Sequence, residues 1–261
     1  MKLKFYQIDA FANKAYEGNP AAVIELEKWL DDKEMQNIAM ENNLSETVFF
    51  IKSEKGYHIR WFTPVAEVDM CGHATLATAY VIFNELGYKE DIIYFDSKSG
   101  VLSVKKQDGF LQMDFPIQNI EKVEILEEFE KAFGIKPIAV YKSMDYLVVF
   151  EYQEDVLNLK PNLEVLKKLD LRGVIVTSKS KKYDFISRFF APKYGIDEDP
   201  VTGSAYTQLV PYWSEKLNIN KLSSKQVSKR GGELFCELKG DRVLIKGEAH
   251  KVIEGTFYHN R

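Results

Sequence analysis

Asp69–Phe83 has the sequence DMCGHATLATAYVIF, and the fold is inferred outward from it. A polar turn containing Gly72 runs directly into a long apolar segment, which predicts a helix from about Cys71 to Leu86 that Gly87 ends. Because the segment is apolar on nearly all sides, we expect the helix to lie buried, as it would if strands surrounded it. The first N–H groups of a helix lack partners within it, so this helix start can bind an anion.

The same arrangement occurs a second time along the chain. The first copy is RWFTP (60–64) followed by Asp69 and Gly72, and the second copy is RFFAP (188–192) followed by Asp197 and Gly203. In each copy four residues separate the proline from the aspartate, and a glycine then opens a helix. The repeat indicates an internal duplication, with a second central helix predicted over Ala205–Leu217.

The remaining sequence consists mainly of short strand patterns placed around these two helices. A charged amphipathic segment, Glu121–Phe133, predicts one further helix. A buried helix among short, mostly antiparallel strands is an α+β arrangement, unlike the regular alternation that builds a doubly wound parallel sheet. We predict two domains, residues 1–117 and 118–261, with the option that the last strand returns to the first domain.

Composition argues against several classes of function. The formal net charge of −4 and the dispersed basic residues disfavour nucleic acid as a partner. Neither an apolar run of membrane-spanning length nor a signal peptide is recognisable, and two cysteines make no disulfide framework, so we expect a cytoplasmic protein without a membrane partner. Since phosphate-binding loops and metal-ligand spacings are also missing from the sequence, we expect no nucleotide cofactor and no metal.

Three side chains are candidates for chemistry. Glu46 stands at the entrance to an apolar strand, where a raised pKa would suit a general acid or base; a cap or a salt bridge is the alternative. His73 follows Gly72 at a positive helix end, which favours a neutral ring that donates a hydrogen bond or moves a proton; a structural histidine is the alternative. Asp199 either accepts a hydrogen bond from a substrate amine or hydroxyl, or is simply an acid that precedes a helix.

The two helix starts suggest a ligand if both face a cleft between the domains. Their N–H groups would then hold a small carboxylate, together with the negative charge that develops when a neighbouring or conjugated carbon loses a proton. The alternative is that Gly72 and Gly203 only permit tight turns into the helices. Cys71 is less persuasive as a nucleophile, because a buried cysteine is often a small apolar filler.

At these residues the sequence resembles the phenazine-biosynthesis PhzF-like family, within the diaminopimelate-epimerase-like superfamily. The resemblance covers essentially the whole chain. Its motifs, in order, are QIDAF (7–11) with GNPAAV (18–23), NLSET (43–47), CGHATLA (71–77) and EDPVTGSA (198–205).

This resemblance implies two pseudo-symmetric domains, each a curved, mostly antiparallel sheet or barrel wrapped around a central helix, with the active site between them. It also implies a homodimer and no cofactor. In the family's phenazine enzyme, the glutamate that matches Glu46 acts as acid/base and moves a proton between carbons of a dihydro-hydroxyanthranilate ring. The matches to His73, Asp199 and Ser204 bind the substrate or help to move protons. Gly72, Gly203 and the adjacent Thr202 are assigned to substrate binding.

The superfamily's epimerases instead use two facing cysteines. Cys71 occupies the first of these positions, but Thr202 occupies the second, and the other cysteine, Cys236, lies far along the chain. The hypothesis is therefore a cofactor-independent isomerase that acts on a small carboxylate, with Glu46 as acid/base. Two alternatives remain: a racemase or epimerase of an amino or hydroxy acid, and a catalytically silent protein that binds a small carboxylate.

Overall fold

A computed structural model describes residues 2–258 of the chain. Contacts divide it into two compact units: the first runs up to Asp114 and resumes at Lys246, and the second is Phe115–Ile245. Strands and helices occur in both units, which confirms the predicted α+β class. Within the described residues, no helix has the length and apolar character needed to cross a membrane.

The elements follow in chain order. The strands are β1 (Lys2–Ala10), β2 (Asn19–Glu25), β3 (Glu46–Ser53), β4 (Gly56–Phe62), β5 (Glu67–Val68), β6 (Ile92–Ser97), β7 (Gly100–Gln107), β8 (Phe110–Pro116), β9 (Glu121–Val123), β10 (Ala139–Lys142), β11 (Tyr146–Val149), β12 (Val174–Lys179), β13 (Phe185–Ala191), β14 (Ile196–Asp199), β15 (Lys221–Gln226), β16 (Gly232–Lys239), β17 (Arg242–Gly247) and β18 (Ala249–Tyr258). The helices are α1 (Asp32–Asn42), α2 (Gly72–Asn84), α3 (Glu127–Phe133), α4 (Gln153–Asn158), α5 (Leu163–Leu166) and α6 (Tyr206–Leu217).

The sheet of the first unit follows the order β18–β1–β2–β3–β4–β6–β7–β8, with β5 as a short partner of β4. Only the β2–β3 and β4–β6 pairs among these are parallel. Parallel neighbours require a crossover connection, and α1 and α2 supply the two crossovers. The helix α2 packs against β1, β2, β3, β7 and β18, so strands cover it on several sides.

The second unit has the same order of strand pairing. Its sheet runs β9–β10–β11–β12–β13–β15–β16, with β14 as a short partner of β13. The parallel pairs are β11–β12 and β13–β15, and the crossovers are α4 with α5, and α6. The pairing of β1 to β7 thus recurs in β10 to β16, in the same halves that carry the repeated sequence motif.

The repeated arginines of that motif hold the short strands in place. Arg60 on β4 makes a two-pronged contact with Glu67 on β5, at 2.8 and 2.9 Å. Arg188 on β13 does the same with Glu198 on β14, at 2.7 and 3.0 Å. Such side-on guanidinium–carboxylate pairs are directional as well as strong. The Arg60–Glu67 pair precedes α2 and the Arg188–Glu198 pair precedes α6, so these ion pairs help to set where each helix starts.

The burial predicted for α2 is confirmed, since 11 of its 13 residues are buried. Its two buried threonines bond back to the helix: Thr75 Oγ1 donates to the carbonyl of Cys71 at 2.6 Å, and Thr78 Oγ1 to that of Ala74 at 2.8 Å. These bonds satisfy the hydroxyls without a partner outside the helix. The helix therefore tolerates polar residues at positions that strands enclose.

The predicted helix over Glu121–Phe133 is wrong in its first half. Residues 121–123 form β9, which pairs with β10 through Val123 and Val140, and the helix α3 begins only at Glu127. Val123 packs against the second unit's buried core, whereas the neighbouring Glu121 and Lys122 stay exposed. Burial of one apolar side chain and pairing along a sheet edge outweigh the modest helix preference of the charged residues.

The second central helix, predicted over Ala205–Leu217, is confirmed as α6, which begins one residue later. A 3-10 turn over Gly203–Ala205 precedes α6, which starts at Tyr206. Pro211 lies inside α6 and has no N–H to bond the carbonyl of Thr207 one turn earlier. That carbonyl accepts a hydrogen bond from the N–H of Gln118 at 3.0 Å instead. Gln118, which lies outside the helix, thus provides the hydrogen bond that Pro211 cannot donate.

Candidate functional site

Glu46 and His73 meet in the first unit. Glu46 is the first residue of β3, where its backbone lies beside Ala21 of the parallel strand β2, and His73 is the second residue of α2. Glu46 Oε2 lies 2.9 Å from His73 Nε2. Only 9% of Glu46 and 5% of His73 is exposed, so this is a buried pair of a potential acid and a potential base.

Neither of the two facing atoms has a hydrogen-bond partner among residues 2–258. The atoms are close enough for charge–charge attraction, but the pair does not have hydrogen-bond geometry. Buried polar atoms are almost always paired, and one that is not often marks a place where a ligand or an ion binds. The contact between Glu46 Oε2 and His73 Nε2 is therefore a candidate place for a ligand.

The other ring nitrogen of His73 faces Cys71 and Asn19. His73 Nδ1 lies 3.4 Å from the thiol sulfur of Cys71 and 3.2 Å from the side-chain amide nitrogen of Asn19, the first residue of β2. The imidazole thus bridges the carboxylate of Glu46 and the thiol of Cys71. The motif that contains Asn19 indicated the family, but nothing in its sequence predicted contact with His73.

The prediction that its position at the helix start favours a neutral His73 is wrong. Burial lowers the pKa of His73, but the neighbouring Cys71 and Glu46 outweigh burial and raise that pKa well above its usual range. The helix end considered from sequence acts in the opposite direction, but a carboxylate oxygen at 2.9 Å is a closer and stronger influence. His73 therefore takes up a proton more readily than free imidazole does.

The environment of Cys71 disfavours the thiolate form. Its burial, followed by the negative charge of Glu46, raises the pKa of the Cys71 thiol. Since the thiolate is the nucleophilic form, these neighbours suppress its reactivity. The structure gives Cys71 a contact with His73, but it does not activate Cys71 as a nucleophile.

The start of α2 has the form expected of an anion-binding helix start. Cys71 occupies the N-cap position in an extended conformation, and its side chain makes no capping hydrogen bond. The first intrahelical bond is from Thr75 N–H to the carbonyl of Cys71 at 3.1 Å. The N–H groups of Gly72 and His73 lie ahead of that bond and have no helical acceptor.

The other predicted residues, Asp199, Thr202, Gly203 and Ser204, lie together in the second unit. The hydroxyl of Thr202 donates a short hydrogen bond to the Asp199 carboxylate. Gln226, which is 1% exposed, donates to the Asp199 carbonyl at 2.8 Å and accepts from the Thr202 N–H at 2.9 Å. Gln226 therefore holds the turn that leads into Gly203, a role that sequence analysis missed.

Sequence analysis also missed Asp145 and Arg172. Asp145 is fully buried, and Arg172 Nε donates to its Oδ1 at 2.9 Å while Nη2 bonds Oδ2. The same Nη2 donates to the hydroxyl oxygen of Ser204 at 3.0 Å, and the guanidinium lies over the ring of Phe189. Because Ser204 Oγ accepts this bond, its own hydrogen remains available to a different acceptor. No motif pointed to these residues, since a single aspartate and a single arginine in loops carry no spacing signal.

Comparison with known proteins covers nearly the whole chain. The family model described as phenazine biosynthesis-like protein, PhzC-PhzF, matches residues 8–255. An uncharacterized isomerase of Pseudomonas aeruginosa is 48% identical over 256 residues, covering 98% of both chains. A crystal structure of a phenazine biosynthesis protein of the PhzF family from Enterococcus faecalis is 48% identical with a TM-score of 0.97, and the match covers 99% of this chain and 100% of that one.

A more distant match bears on the fold alone. A probable proline racemase from Agrobacterium radiobacter has a TM-score of 0.69 at 8% identity, over 99% of this chain and 93% of that one. The predicted epimerase-like fold is thereby confirmed. The full-length family match, with relatives that are named isomerases, shows that this chain belongs to the phenazine biosynthesis-like PhzC-PhzF family and is an isomerase.

Proposed function

We propose that this isomerase moves a proton between carbons of a small carboxylate substrate without a cofactor, with Glu46 as the general acid/base. The observation that carries the proposal is the buried contact between Glu46 Oε2 and His73 Nε2, two atoms without hydrogen-bond partners among residues 2–258. A buried carboxylate beside an ionisable imidazole can take a proton from one carbon and return it to another.

The reaction that follows has two proton transfers. Glu46 as carboxylate takes a proton from a carbon next to a conjugated system, and the electron pair of that C–H bond passes into the conjugated system and its carboxylate group. Glu46, now a carboxylic acid, returns the proton to a different carbon of the same system. No electron is gained or lost overall, so the step requires no oxidant or reductant.

The start of α2 would stabilise the intermediate. The N–H groups of Gly72 and His73 have no helical acceptor, and they can donate to an oxygen on which negative charge accumulates. His73 contributes a second effect, because its raised pKa keeps positive charge next to Glu46 while the carboxylate is ionised. In this mechanism His73 neighbours the carboxylate that takes the proton and does not itself remove the proton from carbon.

We assign substrate binding to the residues around Gly203. The carboxylate of Asp199 would accept from an amine or a hydroxyl of the substrate, with Thr202 as its neighbour in the turn. Ser204 would donate its hydroxyl hydrogen, since Arg172 already donates to its oxygen. Loss of these groups should therefore raise KM more than it lowers kcat.

A deuterium-exchange experiment tests the proposal. The protein is incubated in D₂O with a panel of small unsaturated and dihydroaromatic carboxylates, and both isomerisation and deuterium incorporation are followed by NMR. We expect Glu46→Gln to abolish exchange and turnover while it still folds and still binds an unreactive aromatic carboxylate. Glu41→Gln, which changes an exposed glutamate of the same unit, serves as the matched control. Full turnover by Glu46→Gln would overturn the assignment.

A racemase of an amino or hydroxy acid is the second candidate. The observation that favours it is the 3.4 Å contact of Cys71 Sγ with His73, which provides a second proton-carrying group beside Glu46. A racemase exchanges the hydrogen on the α-carbon and destroys optical activity, whereas the proton shift proposed above changes the position of a double bond. Chiral chromatography of the same incubations separates the two activities.

A further inference from the structure

Arg172 makes more contacts in the second unit than its ion pair with Asp145 requires. Its Nε and Nη2 both bond the Asp145 carboxylate, and Nη2 also donates to Ser204 Oγ at 3.0 Å. We propose that Arg172 is a positioning residue that orients the Ser204 hydroxyl toward a carboxylate oxygen of the substrate. This role rests on the proposed function, in which Ser204 belongs to the residues that bind the substrate. Arg172 acts through Ser204 and does not itself touch the reacting atoms.

The bond from Arg172 decides what the Ser204 hydroxyl can offer a ligand. A hydroxyl has one hydrogen and two lone pairs, and one lone pair of Ser204 Oγ faces the Arg172 N–H. The hydroxyl hydrogen is therefore directed away from the positive guanidinium, and within residues 2–258 it has no acceptor. A hydroxyl that accepts from a cation is also a stronger donor, because neighbouring hydrogen bonds polarise one another. The arrangement thus favours an oxygen that accepts, such as that of a carboxylate.

Asp145 holds the guanidinium in one orientation. Its carboxylate is fully buried, and Gln208 of α6 approaches the same Oδ2 at 3.4 Å. Burial lowers the pKa of Arg172, but its hydrogen bonds with Asp145 and the charges of Asp145 and Asp199 outweigh burial and raise that pKa. A buried carboxylate that loses its partner is strongly destabilising, so the pair stays together. Arg172 therefore presents a permanent charge to Ser204 in a fixed direction.

The backbone on both sides of Arg172 is also held in place. The Tyr146 hydroxyl donates to Asp170 Oδ1 at 2.7 Å, and the Tyr146 N–H donates to the carbonyl of Gly173 at 3.0 Å. A Cβ added at Gly173 would lie 2.6 Å from the ring of Phe189, so only glycine permits this close approach. Phe189 is also the ring beneath the guanidinium, with its centroid 5.4 Å from Arg172 Cζ. These contacts place the guanidinium before a ligand arrives.

Charge compensation alone does not require an arginine. Lysine would supply the single positive charge that Asp145 needs. A bridge to Asp145 and Ser204 at once requires the planar fork of a guanidinium, whose N–H groups point in fixed directions, whereas an ammonium acts as a point charge. Arg172→Lys therefore separates the two roles: it should retain most of the stability that Arg172→Met loses, but it should release the Ser204 hydroxyl.

Ser204→Cys tests the contact without any ligand, because an adjacent arginine lowers the pKa of a thiol. The pH dependence of alkylation by iodoacetamide gives this pKa, and wild type, whose Cys71 and Cys236 are buried, gives the background rate. The same substitution is also made in Asp145→Asn/Arg172→Met, which lacks the ion pair. We expect the thiol pKa to be lower by about one pH unit or more when the pair is present. Equal pKa values in the two backgrounds would overturn the proposal.

A double-mutant cycle tests whether Arg172 acts through Ser204. The probe is benzoate, an unreactive aromatic carboxylate, and its binding to the full chain is measured by calorimetry. Ser204→Ala and Arg172→Lys should each weaken benzoate binding by about 5–10-fold, the usual effect of one hydrogen bond. The combined Arg172→Lys/Ser204→Ala variant should bind no more weakly than either single variant, because nothing remains for Arg172 to orient. Circular dichroism verifies that each variant is folded.

Val176→Ala is the matched control, since it loosens the buried core of the same unit and leaves the Arg172–Ser204 bond in place. Added to Ser204→Ala, it should not change benzoate binding further. Wild-type affinity in Arg172→Lys, or losses that multiply in the combined variant, would overturn the positioning role and leave Ser204 as a binding residue. Benzoate that does not bind wild type, or binds Ser204→Ala equally well, would overturn both that role and the binding assigned to Ser204. Full turnover by Glu46→Gln would instead remove only the acid/base assignment.

Discussion

His73 Nε2 lies 2.9 Å from Glu46 Oε2, although the two residues are 27 positions apart in sequence. The contact exists because β3, which begins with Glu46, pairs in parallel with β2, and α2 packs against both strands. The first residue of a strand and the second residue of a helix are therefore held by backbone elements rather than by a mobile loop. The geometry of the proposed acid/base site is therefore set before any substrate arrives.

His73→Asn should reduce turnover while it preserves the fold. Asparagine keeps a polar side chain of similar size at the start of α2, but it cannot carry the positive charge that His73 holds next to Glu46. We expect exchange of substrate hydrogen for solvent deuterium to slow by up to about 10²-fold, the lower end of the contribution of a general acid or base, because His73 does not itself move the proton.

His250→Asn is the matched control for this prediction, since His250 is exposed on β18 of the same unit. It should exchange deuterium at the wild-type rate. A wild-type rate in His73→Asn would mean that Glu46 works independently of the imidazole, and would leave His73 with a structural role only.

Sequence was sufficient for those features that depend on local chemistry. The apolar run of residues 74–83 predicted a buried helix because no face of it is polar enough for solvent. Glu46 and His73 were each singled out from their immediate neighbours, but their contact depends on parallel pairing of β2 with β3, which no local pattern encodes. The neutral state assigned to His73 was wrong for the same reason, because Glu46 was not known to face it.

Long-range partners explain the other differences. Residues 121–123 have the composition of a helix, yet they pair with β10, and this competing strand partner lies outside any sequence window. The ion pair of Asp145 with Arg172 could not be inferred at all, since each residue stands alone in a loop. Only the tertiary structure shows that Asp145 is buried and therefore requires a cation.

Arg172→Met should destabilise the second unit strongly. Asp145 is fully buried, and Arg172 provides the positive charge that faces it, so removal of the guanidinium leaves an uncompensated carboxylate. Loss of one partner of a buried ion pair typically costs about 3–5 kcal/mol. Urea unfolding followed by circular dichroism should show a midpoint shifted downward by a corresponding amount.

The double variant Asp145→Asn/Arg172→Met separates charge from packing. Because it removes both charges, it should recover a substantial part of the stability that Arg172→Met loses. An equal loss in the single and double variants would show that contact of the arginine with Phe189 and Ser204 matters more than the ion pair.

Glu67 should make the protein sensitive to acid. Hydrogen bonds from Arg60, and to a lesser degree from Lys98, lower the pKa of Glu67 to about 2. A carboxyl group whose pKa is lower in the folded state stabilises that state above its unfolded pKa, and this contribution is lost as the pH falls toward the folded value. With an ordinary glutamate pKa of about 4.3 in the unfolded chain, the loss extends from roughly pH 5 down to about pH 2. Solvent screening reduces the effect to about 1 kcal/mol.

Glu67→Gln should therefore be less stable than wild type in urea at neutral pH, and the difference in stability should vanish near about pH 2. Glu27→Gln, an exposed glutamate of the same unit, should show no such convergence. A stability difference between wild type and Glu67→Gln that is the same at every pH would mean that the Arg60 contact acts through shape rather than charge.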